Sequence, residues 1–239
     1  MPVHPGLHDA VLMVVYLHGF ASGSHSGKAT YLGQRLRAKG VEFAAPDLNL
    51  PDFSALTVTR MLEQTRALLD RADRPVTLIG SSLGAFVAVN AAALWPDRVA
   101  KLVLMAPALD FGRSTGSAPS RAQSRDGDEG LKGPGGADIA SWKAAGHLNV
   151  FHFGYGRMMP VHYELYADAR RYDAMDAVLP MPILVFQGRR DTAVDPVTVE
   201  AWSRRRPNVE LHMLDDDHQL TASLDYIWAE LAAFLDLVI

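Results

Sequence analysis

A mostly parallel, doubly wound α/β sheet flanked by helices is the fold class this sequence predicts, and three observations predict it. Short apolar runs rich in β-branched residues recur at positions 11–17, 41–45, 76–79, 102–105, 183–186 and 209–214. Most are continuously apolar, the pattern of strands covered on both faces. Segments with helical spacing lie between them, and strands alternating with helices build parallel sheets. A chain of 239 residues, 49% hydrophobic and 21% charged, can bury one substantial core, so a single domain over 1–239 is expected.

The first run, 11–17, follows His8-Asp9 and is far shorter than the ~20 residues that span a bilayer. No membrane span is expected, and the chain reads as a cytoplasmic protein. Met61, Leu62, Leu68 and Leu69 carry helical spacing ahead of the run at 76–79, and a helix-compatible segment then continues to about 95–96. From 112 to 136 the chain reads GRSTGSAPSRAQSRDGDEGLKGPGG, dense in Gly, Ser, Pro and charge, and is expected to be a flexible surface insertion. Residues 137–176 then concentrate Trp142, Phe151, Phe153, Tyr155, Tyr163 and Tyr166. That segment reads either as a lid over a pocket or as an extra helical layer on the core. Near the end, Leu224, Ile227, Trp228, Leu231, Phe234, Leu235 and Val238 recur at steps of three and four, which predicts a C-terminal helix starting near Thr221.

Composition removes several function classes. A net charge of −4 offers no basic surface for nucleic acid phosphates. The absence of cysteine excludes disulfides, thiolate catalysis and Cys-ligated zinc, and the nine histidines contain no H-E-x-x-H pair. No metal or organic cofactor is expected.

Ligands in such sheets bind at the carboxyl ends of strands. After the run at 76–79, Gly80-Ser81-Ser82-Leu83-Gly84 fits G-x-S-x-G with Ser82 at its centre. A turn sharp enough to hold a serine hydroxyl clear of the sheet leaves no room for side chains two residues either side, a need that glycine meets. The Leu83 amide and the next helix's N-terminus then face any anion that forms. A second amide is expected from Phe20 in Leu17-His18-Gly19-Phe20, where Gly19 lets the backbone turn into the same hollow. His18, beside that turn, reads as a residue hydrogen-bonding its own loop.

A serine hydroxyl needs a base and an orienting acid. Two aspartates follow the run at 183–186. Asp195 directly precedes Pro196, the signature of a helix N-cap, which leaves Asp191 as orienter; its competing reading is an ion pair with Arg189 or Arg190. After the last strand, Asp215-Asp216-Asp217-His218 makes His218 the candidate base, with the aspartates keeping the loop solvated, while His212 reads as a strand residue. His25, Lys28 and Met158-Met159 read as solvated or packing residues outside the site. The order Ser82, Asp191, His218 suits this strand–turn–helix architecture.

Together YLHGF, GSSLGAF, GRRDTAVD and DDDHQL resemble the α/β-hydrolase superfamily over essentially the whole chain outside 112–136. YLHGFASG with PDLNLPDF is similar, more narrowly, to the small bacterial YqiA-like esterases. The resemblance implies an α/β-hydrolase fold with Ser82 as nucleophile, His218 as general base, Asp191 as orienter, and the Phe20 and Leu83 amides as oxyanion hole. The expected function is a carboxylesterase acting on short to medium acyl esters, its partner a small-molecule ester. The alternatives are a thioesterase or other hydrolase using the same triad, and a non-catalytic binding or signalling module on the same scaffold.

Overall fold

The computed structural model describes residues 12–113 and 138–237. The chain runs through β1 (Met13–Leu17), α1 (Gly27–Ala38), β2 (Glu42–Ala44), α2 (Val58–Arg71), β3 (Val76–Ser81), α3 (Leu83–Leu94) and β4 (Val99–Met105). It continues through α4 (Ile139–Ala145), β5 (His147–His152), β6 (Arg157–His162), α5 (Glu164–Ala169), β7 (Ile183–Gly188), α6 (Pro196–Arg204), β8 (Val209–Leu214) and α7 (Leu224–Phe234). Six strands form one sheet in the order β2-β1-β3-β4-β7-β8, and every pairing in it is parallel. The chain leaves β1 for β2 on one side and returns to β3 on the other. A crevice therefore opens where β1 and β3 end.

Alternation along each strand sends side chains to two cores. Val14, Tyr16, Ile79, Val103, Met105 and Phe186 face α1 and α7, whereas Val15, Leu17, Leu78, Leu102, Leu104 and Val185 pack under α2, α3 and α6. Both faces are covered, as continuous apolar runs require. Every residue of α3 from Leu83 to Ala92 is buried, because this helix is wedged between the sheet and its neighbours.

All six expected strands form. β4 starts three residues earlier than its apolar run because Val99 and Lys101 pair with Val76 and Thr77 of β3; Lys101 also donates to the Phe234 carbonyl (2.6 Å). The C-terminal helix starts at Leu224 rather than near Thr221, since Leu220 is left-handed (φ 54°) and Asp216 holds the Ser223 amide (2.9 Å). Val238 and nearly all of the expected insertion at 112–136 fall outside the described residues. No helix among the described residues is long and apolar enough to cross a membrane.

The aromatic-rich segment, expected as a lid or an extra helical layer, folds as helix, antiparallel hairpin and helix. α4 is capped by Asp138 and ended by Gly146 in the left-handed region (φ 73°). Trp142 on α4 is buried and donates its indole N–H to the Val161 carbonyl (3.1 Å). Tyr166 stacks edgewise on Phe111, and Phe111 on Phe86 of α3, so the helical ends belong to the core. The hairpin turn instead reaches the loop after β1, where the Phe153 amide donates to the Ala21 carbonyl (2.8 Å). Alternating Leu148, Val150 and His152, followed by Gly154-Tyr155-Gly156, are the hairpin signals in the sequence. Truncating the buried indole in Trp142→Ala is expected to cost about 3–5 kcal/mol, read as a lower urea midpoint at unchanged m-value.

Candidate active site

Ser82 sits between β3 and α3 with φ 54° and ψ −117°, a conformation that strains any side chain. Its amide donates to the Met105 carbonyl (2.9 Å), and its carbonyl accepts from Ala85 (3.0 Å) and Phe86 (3.3 Å). These bonds leave the backbone no relaxed alternative. A Cβ on Gly80 would lie 2.6 Å from the Gly84 carbonyl oxygen and 2.7 Å from the Ala85 nitrogen. One on Gly84 would overlap the Leu17 carbonyl and lie 2.6 Å from that of His18. Gly80 thus lets the first turn of α3 close onto β3, and Gly84 lets α3 press against the end of β1.

The same contact brings in the loop after β1. A Cβ on Gly19 would lie 3.4 Å from the Ser82 Cβ, so Phe20 follows directly beside the turn. Among the described residues, neither the Phe20 nor the Leu83 amide donates to a protein acceptor. His18 is buried and receives the Leu48 amide at Nε2 (2.9 Å), so its hydrogen is on Nδ1, which donates to the Gly19 carbonyl (2.9 Å). It holds its own loop.

Asp191 is 7% exposed in the loop after β7. Oδ1 accepts the Ala193 (2.8 Å) and Val194 (2.9 Å) amides, while Oδ2 accepts Gln187 Nε2 (3.0 Å) and His218 Nδ1 (2.8 Å). Burial pushes this carboxyl up, but the hydrogen bonds from His218, Val194 and Gln187 and the charge of His218 outweigh it and hold it below the ordinary value. An ionised Asp191 only accepts, so the hydrogen on His218 Nδ1 points at it. The Nε2 lone pair then faces Ser82 Oγ, 3.1 Å away, and the hydroxyl donates to it. Asp195 caps α6 through the Val197 and Thr198 amides, and Arg190 pairs with Asp215 (2.9 Å) rather than with Asp191.

Ser82, Asp191 and His218 are therefore brought together, with Phe20 and Leu83 at the same turn. Two supporting residues escaped the sequence reading. Gln187, wholly buried, fixes the Asp191 carboxylate from the end of β7. Asp216 is 4% exposed and accepts the Asp217 (2.8 Å) and Ser223 (2.9 Å) amides, so it ties the histidine loop rather than solvating it. That loop crosses so close to Gly188 that a Cβ there would lie 2.5 Å from the Asp217 carbonyl oxygen. Glu210, His212 and Glu230 also cluster, on β8 and α7, but both His212 nitrogens are engaged, by Tyr226 (2.8 Å) and Glu210 (2.9 Å).

Gly84→Ala forces backbone against backbone and is expected to destabilise by at least about 2 kcal/mol, measured by urea unfolding. Because the Asp191 carboxyl is depressed in the folded chain, its stabilisation is present above the unfolded value near ~3.9 and is lost as pH falls through the lower folded value. The urea midpoint of Asp191→Asn is accordingly expected to change less than that of the wild type between about pH 5 and pH 2.

Over residues 13–124, just under half of the chain, the sequence matches the model of an uncharacterised protein family, UPF0227. That stretch includes YLHGFASG, PDLNLPDF and Ser82. Lipase LipV of Mycobacterium tuberculosis is 40% identical over 74 residues, which span 29% of this chain and 28% of the lipase. Est1E from Butyrivibrio proteoclasticus, solved with ferulic acid, superposes with a TM-score of 0.74 at 19% identity, over 94% of this chain and 88% of its own. Mouse alpha/beta hydrolase domain-containing protein 10 does so with a TM-score of 0.70 at 18% identity, over 98% of this chain and 92% of its own. With this sheet order, this strand–turn–helix and these structural relatives, the chain has the α/β-hydrolase fold.

Proposed function

We propose that this chain is a serine carboxylic-ester hydrolase, acting as one α/β-hydrolase domain on short to medium acyl esters. One observation carries the reading: a continuous hydrogen-bonded line from the Asp191 carboxylate through the His218 imidazole to a Ser82 hydroxyl held on a strained turn. Strain at a non-glycine residue is retained where the surrounding structure uses it. The names of Lipase LipV and Est1E support the same direction.

In this reading Ser82 Oγ attacks the acyl carbonyl carbon while His218 Nε2 takes the hydroxyl proton. The imidazolium so formed faces the ionised Asp191, whose four hydrogen bonds keep it in place. The Phe20 and Leu83 amides, which donate to no acceptor among the described residues, receive the developing oxyanion. Collapse of the tetrahedral intermediate breaks the ester C–O bond, and His218 returns the proton to the leaving alcohol. Water then attacks the acyl-serine with His218 again as base, releasing the carboxylic acid and restoring the hydroxyl. Phe20, packed on Phe53 with ring centroids 5.5 Å apart, offers an apolar wall beside the turn that suits an acyl chain over a charged group.

Ser82→Ala is expected to keep the wild-type circular dichroism and to lose at least about a thousandfold in kcat on p-nitrophenyl butyrate. Wild-type turnover by that variant, or folded wild-type protein that a fluorophosphonate does not label at Ser82, overturns the reading. A series of acyl lengths is expected to peak at short to medium chains.

A further inference from the structure

Lys28 occupies the second position of α1, where the positive end of the helix dipole disfavours a cation. Such a local conflict calls for a compensating contact. The contact is with the histidine loop: Lys28 Nζ donates to the carbonyl of Gln219, the residue after His218, at 2.9 Å. On the other side of the same helical turn, Ser26 caps α1 through the Ala29 amide, and Ala29 joins the buried cluster of Tyr16 on β1 and Ile79 on β3, the strand that leads to Ser82. The first turn of α1 thus packs on the sheet at β1 and β3 through Ala29, and reaches the loop of His218 through Lys28.

We propose that this turn is a brace setting the separation between the Ser82 hydroxyl and the His218 imidazole, with Lys28 as the positioning residue on the histidine side. The hydrolase reading above is needed only for what that separation serves. Arg190 is spent on Asp215 within the same loop system, whereas Lys28 faces Asp217, Asp191 and Asp216. Burial pulls its ammonium down to about 8, against the upward pull of those three carboxylates. The brace therefore holds as a charge-assisted bond below that pH and weakens to a neutral amine contact above it. A displacement of the base by a fraction of an ångström costs turnover rather than substrate binding.

The test compares the full-length wild type with Lys28→Met and Lys28→Arg. Lys28→Met is expected to lower kcat on p-nitrophenyl butyrate roughly tenfold or more with KM within about twofold. Wild-type kcat is expected to fall as pH rises through about 8, and Lys28→Arg, which keeps its charge, to restore kcat and abolish that fall. A methionine variant with wild-type kcat and profile, or an arginine variant that behaves like it, overturns the brace. Should the wild type hydrolyse no ester, the hydrolase reading fails while the brace remains readable by hydrogen exchange. The Leu220 and Ser223 amides, bonded to Asp217 and Asp216, should then exchange faster in Lys28→Met than in wild type or Lys28→Arg, and equal rates overturn the proposal.

Discussion

The left-handed bend at Ser82 is the constraint on which the rest of this structure turns. A non-glycine residue held there costs about 1–3 kcal/mol. The helix that follows is buried along all of Leu83 to Ala92, and each fully buried Leu, Val or Phe contributes about 1.5–3 kcal/mol. Three such side chains, Leu83, Phe86 and Val87, already exceed the strain. Packing of α3 thus holds the bend, and the bend aims the hydroxyl at the crevice between β1 and β3.

Around that point three loops are held by different means. The loop after β1 is fixed by a histidine whose tautomer is set by the Leu48 amide. The loop after β7 is folded around the Asp191 carboxylate, which gathers two backbone amides as well as Gln187 and His218. The loop after β8 is closed by Asp216 and by its crossing over Gly188. His18, Asp191 and Asp216 are buried polar groups held by hydrogen bonds, the condition under which such groups rigidify rather than weaken a core. The hydroxyl, imidazole and carboxylate therefore converge on buried anchors, to which Lys28 adds a contact at the His218 loop.

Much of this was legible in the sequence because its signals are local. The G-x-S-x-G spacing is complete within five residues, and Asp195-Pro196 removes one of two competing aspartates by a capping rule that needs no distant contact. The hairpin was harder, since its strands carry His147, Asn149, His152 and Arg157 among the apolar residues and its aromatics resemble core. Asp216 looked like one of three solvated acids, and only the Ser223 amide distinguishes it. Lys28 read as a solvated or packing residue because its partner lies 191 residues away. Residues whose role depends on a neighbour brought near by topology leave no trace in spacing.

Ser82 and His218 are separated by 136 positions, and the strand that delivers the imidazole is an edge of the sheet, paired among the described residues with β7 alone. In the proposed mechanism the serine emerges during synthesis long before its base. Until β8 zips onto the edge, the nascent chain carries an ordinary alcohol, so the proposed nucleophile is switched on by completion of the sheet itself.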